Sequence, residues 1–198
     1  MKKLVYTLLL SFSLYGCAFN SQKVEFSPQV EVDKANIGNG AEIYVSVVDE
    51  RPSQSLGRRG SGYGPAGEIT AATDLSETIK LQVKEGLSAK GFKVTDNVNA
   101  ERKLTIEVRQ LEYSTSTGFF TGGVHIQGAM KGEARHGATS YEKMYRHEKE
   151  ERVVIVPTAE TNSTWINNAL SGTLNQIFQD EELFKFLGRK SLAKADNN

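Results

Sequence analysis

Side chains able to do chemistry are few in this chain and far apart. Of its 198 residues one is a cysteine, Cys17, and three are histidines, His125, His136 and His147, at equal spacing. A thiol can close a disulfide, ligate a metal, attack an electrophile or carry an attached group, and a lone cysteine removes the intramolecular disulfide at once. Regularly spaced imidazoles invite a metal reading, because neutral imidazole is a common ligand. An arginine pair, Arg58 and Arg59, sits in the glycine-rich run LGRRGSGYG (56–64), outwardly like a phosphate cradle. The run HEKEER (147–152) gathers carboxylates that could serve acid–base work.

The flanks of Cys17 decide its reading. Lys2 and Lys3 give a basic start, and residues 4–14, LVYTLLLSFSL, are an apolar run. That run falls short of the roughly 20 residues a membrane-spanning helix needs, so it reads as a secretory signal. Leu14, Gly16 and Cys17 resemble the bacterial lipobox, in which an aliphatic residue three places back and a small residue one place back precede a cysteine that becomes diacylated. The resemblance implies cleavage after residue 16, lipidation at Cys17, and signal recognition through Leu14 and Gly16. Ala18, where such proteins carry Asp as an inner-membrane retention signal, points to the inner leaflet of the outer membrane.

The elements that must position everything else follow from hydrophobic period. Residues 17–40 are expected to be the acylated cysteine and a tether, 41–190 a single globular domain and 191–198 a disordered tail. As a free coil, 18–40 would span about 25–29 Å, and about 80 Å when stretched. Within the tether Val24, Phe26, Val30 and Val32 alternate with polar residues around Pro28, which suits only a sheet edge. Residues 43–48 are almost all apolar or β-branched, as in a strand covered on both faces. Residues 51–69 hold five glycines and two prolines and read as a long loop. A helix begins at Asp74, buries Leu75, Ile79, Val83 and Leu87, and stops at Gly91.

A strand over 102–113 alternates through Leu104, Ile106 and Val108, then changes parity at Leu111 and Tyr113, predicting a bulge near Arg109 and Gln110. Segments 123–135 and 138–152 form a hairpin turning at His136–Gly137. Cross-strand positions then sum to 273, setting Tyr141 opposite Gly132 and Tyr145 opposite Gly128, rings over bare glycines. A second helix runs over about 162–180 and a short one holds Leu183, Phe184 and Leu187. The expected fold class is α+β. It is a two-layer sandwich with a mainly antiparallel sheet of about four strands and two helices on one face, in the order strand-helix-strand-strand-strand-helix.

QKVEFSPQVEVD, ITAATDLSETIKLQVKEGLSAKGFKV, KLTIEVRQLEYSTSTG, NSTWINNALSGTLNQIF and DEELFKFL resemble, in content and order, the YajG family of small bacterial envelope lipoproteins. That resemblance implies a lipid-anchored envelope protein without assigned catalytic positions.

LGRRGSGYG lacks the Lys-Ser/Thr ending that would reach phosphates and magnesium, so Arg58 and Arg59 stand as anion or partner contacts on a solvated loop. With the hairpin register, His125 pairs with Glu148 and His147 with Ile126, so their imidazoles lie on opposite faces; no metal and no cofactor is expected. Glu150 and Glu151, neighbours in a strand, face opposite ways, and no G-x-S-x-G or H-E-x-x-H occurs, so no enzyme is expected.

Removing Lys2 and Lys3 from 24 basic residues leaves 22 against 24 acidic ones, which argues against nucleic acid as a partner. The expected role is a protein-binding or assembly accessory at the periplasmic side. Its partners would be the membrane, through Cys17, and another envelope protein or a second copy. Contacts would come from Arg58, Arg59, His125, Gln127, Lys131, Glu133 and Arg146. A carrier of lipid or glycan is the alternative, and an unrecognised hydrolase the second, since triads assemble from distant positions.

Overall fold

The computed structural model describes residues 20–59, 67–117 and 122–190. Cys17, Leu14, Gly16 and the expected tail at 191–198 lie outside them. In chain order the described elements are β1 (Gln22–Val24), β2 (Glu42–Asp49), β3 (Gly57–Arg58), β4 (Glu68–Ala71), α1 (Leu75–Ala89), β5 (Lys93–Thr95), β6 (Arg102–Thr117), β7 (Gly122–His136), β8 (Thr139–Val153), α2 (Ala159–Phe178) and α3 (Glu181–Leu187).

The class is α+β, but the expected four-stranded, mainly antiparallel sheet is overturned. One mixed sheet holds all eight described strands. β2 runs parallel to both its neighbours, β5 and β6; β3 runs parallel to β6 and β1 to β4. Only β3–β4, β6–β7 and β7–β8 are antiparallel. The physical reason is the apolar run of β2: a strand of that composition is typical of a parallel sheet, whose connections need a long crossover. Here α1 lies in the crossover from β2 to β5. The supposed loop at 51–69 also carries β3 and β4, too short to leave a period. Gly57 takes φ +135° there, and a Cβ on it would stand 1.8 Å from the Tyr113 carbonyl oxygen, so only glycine fits against β6.

Helix ends follow their capping chemistry. Asp74 Oδ1 accepts from the Glu77 amide at 2.9 Å, as its sequence position predicts. α2 starts earlier than its apolar face suggests because Thr158 caps it, accepting from the Thr161 amide at 3.2 Å. Gly91 follows α1 with φ +85°. α1 packs on β2 and β5, α2 on β6, β7 and β8. Their buried stripes (Ile79, Val83 and Leu87; Ile166, Leu170, Leu174 and Ile177) meet the same face of the sheet in one core with Ile43, Val45, Ile106, Ile126 and Met130.

The bulge in β6 falls between Val108 and Gln110, where the parity change places it. The hairpin has the expected two-residue length but turns at Gly137–Ala138, so Tyr141 pairs with Ala134 and Tyr145 with Met130. This corrects the 273 register by two residues. A two-residue slip keeps every side chain on its face, because the strand period is two. Tyr145 still shelters Gly132 diagonally, 3.0 Å from where a Cβ would stand, whereas Gly128 is covered by α2 itself through Thr173 and Ala169.

Residues expected to be a free tether lie against the body. Val24 and Phe26 are buried. The amides of Ser27, Gln29 and Glu31 donate to Asn167 Oδ1 (2.7 Å), Ser171 Oγ (2.8 Å) and Asn175 Oδ1 (2.8 Å). Two residues of extended chain advance about 6.6 Å and four of helix about 6 Å, so a polar stripe at spacing four on α2 serves as a rail for every second amide. Pro28 falls on the turn of the period that faces away from the rail, where its missing N–H costs nothing.

Candidate functional site

The face of the ribbon β6–β7–β8 turned away from the helices carries most of the expected contact residues. On it Lys131 Nζ lies 2.9 Å from Glu142 Oε2, and that hydrogen bond raises the lysine's pKa. Gln127 Nε2 donates to Glu148 Oε1 at 2.8 Å, and His125 Nε2 stands 3.9 Å from Glu148 Oε2. His125 is paired in the ladder with Glu150 rather than Glu148. Glu133 accepts from Arg135 Nε at 2.5 Å. Arg146 is the exception: its carbonyl accepts from Gln176 Nε2 at 2.6 Å while its exposed guanidinium makes no ion pair among the described residues. Opposite charges thus pair along much of the face, while Lys103, Arg146 and Arg152 make no ion pair among the described residues.

The three imidazoles occupy three separate places. His125 is on the open face, His147 packs on Gly172 of α2, and His136 sits at the far end of the ribbon, 3.4 Å from Glu101 and edge-on to Phe186.

Arg58 and Arg59 are held in the fold rather than on a free loop. Arg58 pairs with Glu68 in the β3–β4 ladder. The Arg59 amide donates to the Gly67 carbonyl at 2.8 Å, and its Nη2 donates to the Asn20 carbonyl at 2.5 Å. Neighbouring Gly57, a cleft of about 470 Å³ contains two further guanidiniums, but both are engaged. Arg51 makes a fork on Asp49 at 2.8 Å through Nε and Nη2, which lowers the Asp49 pKa, and Arg109 bonds Glu50 at 2.7 Å.

A second cluster was not legible in the sequence. Asp180 Oδ2 accepts from the Tyr145 hydroxyl (2.7 Å) and the Tyr141 hydroxyl (2.9 Å) and lies 2.9 Å from Lys143 Nζ. Its Oδ1 caps α3, accepting from the Glu182 and Leu183 amides at 3.0 and 3.2 Å. The Asp180 side chain is 2% exposed. Burial alone would raise its pKa; the bonds from Tyr145, Lys143, Tyr141 and the Leu183 amide outweigh it and the pKa falls. Tyr145 is pushed up, first by burial and then by the bond to Asp180. With every acceptor position filled, this carboxylate is a latch tying the α2–α3 corner to β8. A usable sequence signal is that buried tyrosines in a strand need a hydroxyl partner, and a helix-capping Asp has a spare oxygen.

The latch sets a pH dependence. A depressed carboxylate pKa contributes stability that is complete above the unfolded value, about 3.9, and disappears as pH falls through the folded one. Raised pKa values of Lys143, Tyr141 and Tyr145 contribute stability complete below about pH 10 and lost as pH rises further. Denaturant unfolding across pH is therefore expected to show stability declining below about pH 4 and above about pH 10. Asp180→Asn flattens the acid limb; an unchanged limb in that variant would remove Asp180 from the account.

Comparison with known proteins places the chain. Residues 28–188 match a family model described as an uncharacterized lipoprotein. The uncharacterized lipoprotein YajG of Escherichia coli is 23% identical over 192 residues, covering 94% of this chain and 96% of that protein. Among solved structures, a protein from Xanthomonas campestris superposes with a TM-score of 0.48 at 13% identity, covering 84% of this chain and 95% of its own. A minor lipoprotein from Acinetobacter baumannii gives 0.40 at 8%, covering 74% and 91%. The match running from the α2-bound strap through α3 includes every described element but β1, and this chain belongs to the YajG-like family of cell-envelope lipoproteins.

Proposed function

We propose that this lipoprotein is a non-catalytic accessory held at the inner leaflet of the outer membrane by acyl chains on Cys17, where it binds another envelope protein or a second copy of itself. The observation that carries the reading is β8. It is fifteen residues long and pairs only with β7, so among the described residues its outer edge has no strand neighbour. A strand edge is a ready template for another chain. The charges along β8 restrict which chain can add, since a partner must complement Arg146 and Arg152, exposed cations of that strand without an ion pair among the described residues, or be excluded.

The carrier alternative is less well supported. The apolar cleft beside Val154–Pro157 has a volume of about 180 Å³, against about 300–1,000 Å³ for sites that enclose a small ligand, and a cleft of about 450 Å³ at Ile37, Phe178 and Phe184 is rimmed by Asp33, Lys90, Glu181 and Lys185. The hydrolase alternative needs a nucleophile beside a base. Asp180, the carboxylate with the most partners, is saturated and buried.

Reversing Lys131 and Arg146 to Glu tests the contact surface. One change breaks the pair with Glu142 and the other reverses an exposed cation that has no ion pair among the described residues, both on the open side of the ribbon. In-cell crosslinks to the partner are expected to disappear while the thermal melt of the purified protein stays where it was. Crosslinking that persists in the folded double variant would rule out this surface.

A further inference from the structure

One end of the molecule gathers features that no contact within the described fold uses. Val154, Ile155 and Val156, directly after β8, are 83%, 81% and 60% exposed. A run of three large apolar residues left in water costs free energy and marks a surface meant to be covered. They line a mostly apolar cleft with Val153, Pro157, Gly122 and Tyr113, and the Tyr113 hydroxyl, itself buried, has no hydrogen-bond partner.

What covers this end is indicated by where the chain begins. Arg59 lines the same cleft and holds the Asn20 carbonyl. The Gln22 amide lies 2.9 Å from Asn162 in the first turn of α2, the helix that starts just after Pro157. The start of the described chain is therefore fastened to the rim of the exposed apolar run. Cys17 is only three residues earlier, and three residues reach at most about 11 Å. Because residues 22–31 are strapped to β4 and α2, no long tether remains to lift the body away.

We infer that this end of the domain is a membrane-seating surface, with Val154, Ile155 and Val156 resting in the headgroup–acyl boundary of the bilayer that holds the acylated Cys17. The inference rests on the anchor at Cys17 and adds an orientation to it. The ribbon then stands away from the membrane: β7 is fifteen residues long, about 46 Å at 3.3 Å per residue, and the Gly137–Ala138 turn lies at its far end. The seating is apolar rather than electrostatic. Nearby charges offset one another, with Lys149 2.7 Å from Glu151, and Arg152 beside Glu150 and Glu151 in sequence. Contact should persist at high salt.

The test uses the mature acylated protein in vesicles of phosphatidylethanolamine and phosphatidylglycerol. Acylation consumes the chain's only thiol, so Ile155→Cys offers a single site for an environment-sensitive fluorophore, and Ala138→Cys at the hairpin turn serves as control. Flotation with the vesicles reports the anchor; quenching by lipids brominated near the headgroup end of their acyl chains reports the seating. The expected result is at least several-fold stronger quenching at position 155 than at 138, unchanged by 0.5 M salt and by tenfold dilution of protein in lipid. Equal and weak quenching at both positions in protein that floats overturns the seating alone. An apolar emission shift at 155 that escapes lipid quenching and is lost on dilution means a second copy covers the surface, and also overturns the seating. Protein that does not float overturns the anchor and the seating together.

Discussion

Truncating Tyr145 to alanine is expected to destabilise the domain by about 3–5 kcal/mol, the range for removing a large buried aromatic side chain. The ring is 2% exposed and covers Gly132, so its loss opens a cavity between the ribbon and the α2–α3 corner that backbone cannot fill. Removing its hydroxyl also takes one of three partners from the buried Asp180 oxygen. Tyr145→Phe separates the two effects: it keeps the ring, and its cost of about 1.5–3 kcal/mol reports the hydrogen bond to a charged acceptor. Asp180→Ala should fall between them at about 2–4 kcal/mol, a helix cap plus a buried hydroxyl left without an acceptor. Lys131→Ala, across the sheet and facing water, should leave the urea midpoint where it was. If Tyr145→Ala proved as mild as Lys131→Ala, the assignment of helix-facing and open sides on this ribbon would be wrong.

That assignment was readable because it depends only on parity. Even-numbered residues of β7 from Val124 to Ala134 are apolar or glycine, and odd-numbered ones are mostly polar, so any register with the right parity gives the same faces. The register itself was not readable to better than two residues. Neither His136–Gly137 nor Gly137–Ala138 is a strong turn pair, and the choice falls to Gly137, whose φ of +60° suits the first turn position. The bulge was legible for the same reason the faces were: a local insertion reverses parity, and Val108 followed by Leu111 records it.

Topology was much less legible. The run 43–48 carries the composition of a parallel strand, yet its partners β5 and β6 lie beyond α1, and nothing local to either states which side of β2 it occupies. β3 and β4 contribute two and four residues, below the length at which alternation can be recognised. The strap at 22–31 was hidden for another reason. Its partners are side chains, Asn167, Ser171 and Asn175, and a polar stripe on a helix ordinarily signifies a wet face. Only the match between a two-residue rise in extended chain and a four-residue rise in helix turns that stripe into a binding rail. The Asp180 latch likewise joins β8 to the α2–α3 corner across more than thirty residues, a distance over which sequence periodicity is silent.

Replacing Cys17 by serine is expected to abolish incorporation of labelled fatty acid completely. Attachment of a lipid group through sulfur needs a thiolate nucleophile, and the chain offers no second thiol. The consequence for the domain is all or none rather than graded. One acyl chain gives marginal, reversible membrane binding and two or more give stable binding. The chain is fixed to the body from Gln22 onward by pairing with β4 and by the amides that bond α2. Cys17→Ser protein should therefore retain residues 1–16, detected as the added mass of the uncleaved signal segment, and carry no label. Its domain should still unfold at the parent midpoint, because the core is built from residues between Val24 and Leu187. Label found on Cys17→Ser protein would mean that another group is acylated, and the reading of SLYGCAF as the anchor site would have to be abandoned.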